Sequence, residues 1–306
     1  MFPILPANSV DAETGNDEGI FGFGDASPNT AITNLVSNTG VVATDTTGVG
    51  TARSYIAACE YGGDKGIFGW SYAGATGVTN LVSNTGVVAS DTAGVGSARS
   101  GSAACSYGDD KGIFGFGAGP YTNITNLVSN TGVMATDTSG VGTSRGYLGA
   151  CEYGGDKGIF GYGRISAAPG ALATTNLISN TGVVASDTAG VGTARKEVGA
   201  CWYGEDGKDK GIFGFGSLGD APTHTRVAMT NLVSNVGVVA TDTTGVGTAR
   251  SGPAACEYGQ DKGIFAFGND GSITAVSNLV SNVGVVATDT TGVGTVRTNP
   301  GACSFN

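Results

Sequence analysis

One stretch of 21 residues occurs six times and leaves few folds open to this chain. It reads TNLVSNTGVVATDTTGVGTAR at Thr33–Arg53. Near-identical copies begin at Thr79, Thr125, Thr175, Thr230 and Ser277 and end at Arg99, Arg145, Arg195, Arg250 and Arg297. From Arg to Arg the period is 46, 46, 50, 55 and 47 residues. The copies themselves never change length. The variation falls in the segment before each copy, with a three-residue excess inside Cys201–Lys210. A packed strand cannot gain a residue without turning its side chains to the wrong face, whereas a surface loop can. Fixed packed segments joined by variable loops are therefore expected.

Each repeat divides further. GIFGFG at 19–24 returns as Gly66–Trp70, Gly112–Gly117, Gly158–Gly163, Gly211–Gly216 and Gly263–Gly268, and reads as a strand alternating aromatic and Gly. The segment after it differs in every repeat and carries Pro, Gly, Asn and Asp, the marks of a loop. TNLVSN and GVVATDT flank an Asn-x-Gly turn and read as a hairpin. A fourth strand carries the single Cys of each repeat, in AACEYG or a close variant. No apolar period of 3.6 is present, and 55 glycines would weaken any helix.

Four short strands in about 46–55 residues match one propeller blade. The expected fold is all-β: a six-bladed β-propeller of four-stranded blades, a single domain over 1–306 with an irregular lead-in at 1–18. GACSFN at 301–306 has no GIFGFG strand after it, and the first GIFGFG has only the weak echo SVDAET before it. Residues 301–306 are therefore expected to pair with 19–24 and complete the first blade, removing open edges. An open solenoid would want atypical capping repeats, and none is evident. One chain that completes its own ring is expected to be a monomer.

Composition excludes several functions. A net charge of −10 and a pI near 4.4 do not make a nucleic-acid surface. No apolar window is long enough for a membrane span, so no membrane insertion is expected. MFPILPANSVDAETG lacks a basic n-region and does not read as a secretory signal. Cys59, Cys105, Cys151, Cys201, Cys256 and Cys303 occupy one equivalent position each, too far apart between repeats for a bridge. They read as small buried hydrophobes with free thiols. There is no CxxC pair and only one histidine, so no metal or other cofactor is expected.

Two features point toward binding. An Asp and an Arg recur eight residues apart, as in Asp45 and Arg53. Placed before the innermost strand, Arg53, Arg99, Arg145, Arg195, Arg250 and Arg297 would ring the mouth of a central channel and could bind an anion or acidic sugar. The competing reading, which six Asp for six Arg favours, is a structural ion pair fixing each turn. The variable loops are the second feature. Tyr72, Tyr121 and His224 lie there and are the candidates for a glycan or other cell-surface ligand.

The plan of Arg, small-residue strand, turn, Gly-ended strand, variable loop and hairpin resembles kelch-like β-propellers, without their paired glycines and late Trp. The motifs DKGIFGFG, TNLVSNTGVVATDTTGVGTAR and AACEYG are more similar to uncharacterised repeat proteins of bacteriophages and environmental sequences. That resemblance implies a propeller on a virion or extracellular microbial surface and brings no catalytic residues. The leading expectation is a non-enzymatic recognition module. A purely structural repeat protein comes second. An enzyme comes third, since neither GxSxG nor GxxxxGK[ST] occurs; it would need a polar cluster in the channel that breaks six-fold symmetry.

Overall fold

The computed structural model describes residues 17–71, 77–167, 170–205, 207–219 and 224–306. These residues form β-structure without a helix. The strands are β1 (Glu18–Gly22), β2 (Thr33–Val36), β3 (Ala57–Tyr61), β4 (Lys65–Gly69) and β5 (Thr79–Val82). There follow β6 (Ala103–Tyr107), β7 (Lys111–Gly117), β8 (Thr122–Val128), β9 (Gly149–Tyr153) and β10 (Lys157–Gly161). Next come β11 (Thr175–Ile178), β12 (Gly199–Tyr203), β13 (Lys210–Gly214), β14 (Ser217–Leu218) and β15 (Thr225–Arg226). The last are β16 (Thr230–Val233), β17 (Ala254–Tyr258), β18 (Lys262–Asn269), β19 (Ile273–Val280) and β20 (Gly301–Phe305).

They make six antiparallel sheets of three strands and one small hairpin, β14–β15. In each sheet the Cys strand pairs with the GIF strand, which pairs with the TNLV strand. The sheet around β1 takes its Cys strand from the far end of the chain: β20 pairs with β1, with Ile20 opposite Cys303 and Glu18 opposite Phe305. The Cys strands of successive sheets touch in the order β3, β6, β9, β12, β17, β20, and β20 touches β3. The chain of contacts thus returns to its start. The described residues contain no helix long and apolar enough to cross a membrane.

The expected fourth strand is not a regular one. GVVATDT bonds back to TNLV only through isolated bridges, Val36 with Val42 and Thr33 with Thr46 in the first repeat. Three steps along one side face four on the other, so one residue is extra and the ladder breaks. The side chain of Asn34 fills the gap. Its amide donates to the carbonyl of Ala43 at 2.9 Å and to Asp45 Oδ1 at 2.9 Å. The Asn-x-Gly turn itself forms as the sequence predicts. Ser37 O accepts from Gly40 N at 2.8 Å, and Gly40 has φ +77°. A Cβ there would also lie 2.8 Å from Leu279 and 2.9 Å from the Tyr258 ring, so this turn needs Gly twice over.

Neighbouring sheets interlock through sulfur and glycine. The Cys303 Sγ takes the place a Gly66 Cβ would need, and Cys59 Sγ stands 2.5 Å from that of Gly112. The same contact joins Cys105 to Gly158, Cys151 to Gly211, Cys201 to Gly263 and Cys256 to Gly19. Phe68 likewise fills the space left by Gly22, and Phe114 that left by Gly69. Each apolar cluster therefore draws on two sheets. Cys59, Ile67 and Trp70, for example, pack with Phe114, Val128 and Met134.

All six cysteines are free and buried, and burial pushes each thiol well above its ordinary value. A thiol reagent is expected to react slowly with the native protein. Under denaturing, non-reducing conditions it should titrate six thiols, one per Cys. A denatured count near zero would mean that they are paired.

Candidate functional site

The recurrent arginines are part of the frame. Each is at most 2% exposed, buried between two sheets rather than placed around an open mouth. This corrects the expectation of a guanidinium ring facing a ligand. Nor does each Arg face the Asp eight residues before it. Arg53 lies 3.8 Å from Asp91 of the next repeat, and Arg195 3.8 Å from Asp242. Asn80 mediates: its Oδ1 accepts from Arg53 and its Nδ2 donates to Asp91. Asp91 also accepts from Thr51 N at 3.0 Å and Thr51 Oγ1 at 2.6 Å. In the first repeat Asp45 is met by Thr295, and Asn34 by Arg297, so the same linkage joins the two ends of the chain.

The other face of each guanidinium lies over an aromatic ring. Arg53 sits over Phe23 at 4.1 Å, Arg99 over Trp70 at 4.3 Å and Arg297 over Phe267 at 3.7 Å. Phe23 and Trp70 follow their strands with left-handed backbones, φ 64° and 57°, and Phe267 has φ 65° within β18. The GIFGFG run therefore turns at its second aromatic in most repeats. That conformation is unfavourable for a bulky residue. A cation–π contact worth about 2 kcal/mol when desolvated offsets it. Burial pushes Arg53 down to about 10, which leaves it charged at neutral pH. Burial also pushes Asp91 upward, but hydrogen bonds from Thr51 and Asn80 and the Arg53 charge hold its carboxyl below the ordinary value.

One set of positions that varies from repeat to repeat lines the cavity between the Cys strands. The residue two before each of these strands is Tyr55, Gly101, Tyr147, Glu197, Gly252 or Asn299, and all six have φ between 51° and 61°. Their backbones form a cycle. Gly101 N donates to Tyr55 O, Tyr147 N to Gly101 O, Glu197 N to Tyr147 O, Gly252 N to Glu197 O, Asn299 N to Gly252 O and Tyr55 N to Asn299 O. The backbone makes the cycle while the side chains differ, and Gly101 and Gly252 leave the room that Tyr147 and Asn299 take.

A cavity of about 110 Å³ lies here, lined by residues of all six repeats. The Tyr147 ring lies against Gly101, where a Cβ would come within 2.8 Å of it. From there it meets Tyr55 edge-on at 5.5 Å and Tyr121 at 6.5 Å. Burial pushes the Tyr147 phenol above its ordinary value. Ser102 Oγ, also in the lining, is buried without a hydrogen-bond partner among the described residues.

Tyr121 thus joins an aromatic cluster that its sequence context did not announce. His224 is exposed and does not line the cavity. Tyr72 lies outside the described residues. Sequence reasoning missed Tyr55, Tyr147, Glu197 and Ser102. The signal was there: between Arg and the Cys strand, SYI, GYL and KEV differ where the flanking residues repeat.

A second, smaller space lies on the other side of six alanines that line the first, and it is acidic. At the position after each Cys stand Glu60, Ser106, Glu152, Trp202, Glu257 and Ser304, all at most 6% exposed. Glu152 accepts from Ser106 N and from Ser106 Oγ at 2.6 Å. Glu257 accepts from Trp202 N at 2.9 Å and from Ser304 Oγ. Burial, with the neighbouring carboxylates, pushes both Glu152 and Glu257 up. Lys208, from the turn with the three-residue excess, donates to Glu60 Oε2 at 2.6 Å and Ser106 Oγ at 3.1 Å. This cluster does break six-fold symmetry. No family model matches the chain, and no curated protein resembles it significantly in sequence.

Proposed function

We propose that the six sheets are the blades of a β-propeller and that the chain is a non-enzymatic binding module, recognising a carbohydrate through the mouth around Tyr147. The observation that carries this reading is the contrast between frame and mouth. The interlocks between sheets repeat almost residue for residue, while the six positions at the mouth hold Tyr, Gly, Tyr, Glu, Gly and Asn. A rigid scaffold with local diversity suits recognition. Tyr55, Tyr121 and Tyr147 offer aromatic surface to the apolar face of a sugar ring. Glu197, Asn299 and the unpartnered Ser102 hydroxyl offer hydrogen bonds to its hydroxyls. The cavity of about 110 Å³ suits a substituent of a sugar, with the ring itself resting on the tyrosines. The resemblance to phage-encoded repeat proteins agrees with a place on a particle or microbial surface, acting as a monomer on a glycan.

A glycan array probed with the purified protein tests this. A restricted set of hits is expected. Tyr147→Ala should weaken binding to those hits at least about ten-fold, the scale of losing one aromatic anchor, while His224→Ala should leave it unchanged. An array without hits, or equal losses in both variants, would remove the mouth as the site. Stable incorporation into a particle without glycan binding would favour an architectural role.

A further inference from the structure

Beside the smaller space, we propose that the three-glutamate cluster is a binding site for a primary ammonium group, filled in this chain by its own Lys208. Glu60, Glu152 and Glu257 come from alternate repeats and line a space of about 20 Å³ that stays open with Lys208 in place. Lys208 reaches the cluster from beyond β12, whereas Glu60 lies in β3, three Cys strands away by either route. Its side chain therefore reaches residues of other sheets, Glu60 and Ser106, rather than resting on its own.

The donor count fits an ammonium. The Nζ of Lys208 donates to Glu60 Oε2 and Ser106 Oγ, and Ser106 Oγ in turn donates to Glu152. Glu60 Oε1 is buried, without a hydrogen-bond partner among the described residues, and Glu60 lines the space. One further acceptor is thus aimed at the site, and an ammonium carries three donors. A metal ion suits it less well, since the described residues contain no cluster of acidic, His or Cys side chains arranged to hold one. A quaternary ammonium has no N–H to donate. Burial lowers the affinity of Lys208 for its proton, but the Glu60 and Glu152 charges reverse this and raise it. The backbone of Lys208 is left-handed, φ 47°, an uncommon state for a non-glycine residue. No other repeat has the extra residues, so the occupant is local to this turn while the acceptors come from the whole assembly.

The test separates site from occupant. Lys208→Ala is melted in n-propylammonium, tetramethylammonium or sodium chloride at equal ionic strength. Propylammonium is expected to raise the melting temperature of the variant by about 3 °C or more, with no such rise for the other two salts or for the unaltered protein. Adding Glu60→Gln to Lys208→Ala should abolish most of the shift. Equal shifts in all three salts, or none in propylammonium, would overturn the proposal. Should Lys208→Ala fail to fold, the unaltered protein is acetylated with acetic anhydride and mapped by mass spectrometry. Lys208 should then react at least ten-fold more slowly than Lys65, whose side chain is 40% exposed. Equal rates would show that the ammonium does not occupy the cluster.

Discussion

Deletion of Gly301–Asn306 should cost this protein several kcal/mol and lower its melting temperature by about 10 °C or more. Those residues are the Cys strand of the sheet that begins the chain. Removing them strips β1 of one ladder, from Glu18 opposite Phe305 to Gly22 opposite Gly301. Phe305 is fully buried and packs where a Gly86 Cβ would lie, 2.7 Å from its ring. Loss of one such ring alone costs about 3–5 kcal/mol. Cys303 leaves Gly66 facing a void, and Asp64 loses the hydrogen bond from Asn306 N. The newly bare edge of β1 is also an aggregation hazard. Deleting residues 1–8 is the comparison and should shift the melting temperature by less than about 2 °C. If the N-terminal cut proves the damaging one, the lead-in rather than GACSFN carries the seam.

The second large effect is expected at the arginines. Arg145→Ala should destabilise by about 3–5 kcal/mol, because it strands the partners of a buried charge. Arg145 donates through Nε to Tyr162 O at 2.8 Å and through Nη2 to Asn176 Oδ1 at 2.7 Å. It lies over Phe116 at 4.2 Å and 3.8 Å from Asp187. Arg145→Lys keeps the charge but cannot span Tyr162 O, Asn176 and Thr143 O together, so it should lose most of the same stability. Chemical denaturation measures both. A Lys variant within about 1 kcal/mol of the unaltered protein would mean that charge alone matters and the planar fork does not.

Where the sequence was read correctly, the physics is local or periodic. The Asn-x-Gly turn, the short strands and the absence of helix follow from backbone preferences within a few residues. The constant length of Thr33–Arg53 follows from the linkage it serves, in which Thr51 and Arg53 of one repeat meet Asn80 and Asp91 of the next. A residue gained inside it would break both neighbours. The pairing of Gly301–Asn306 with Glu18–Gly22 was legible because five equivalent pairs stood as templates between the ends.

The errors and omissions lie where position along the chain does not give proximity. Asp45 and Arg53 are eight residues apart, yet Asp45 is engaged by Thr295 and Arg53 approaches Asp91. Spacing within one repeat cannot tell an internal pair from the same pair shared between neighbours. GVVATDT has the composition of a strand, but its one extra residue against TNLV passes the ladder's bonds to the Asn34 side chain. Tyr121 and Tyr147, 26 residues apart in different segments, become ring neighbours only when two repeats pack. Lys208 reads as part of a surface insertion, and its contact with Glu60 spans 148 residues. By itself the sequence determined the unit, three of its four expected strands and its number. The tertiary structure decided which residues of different units meet, because packing the units side by side brings equivalent positions of all six repeats around one cavity.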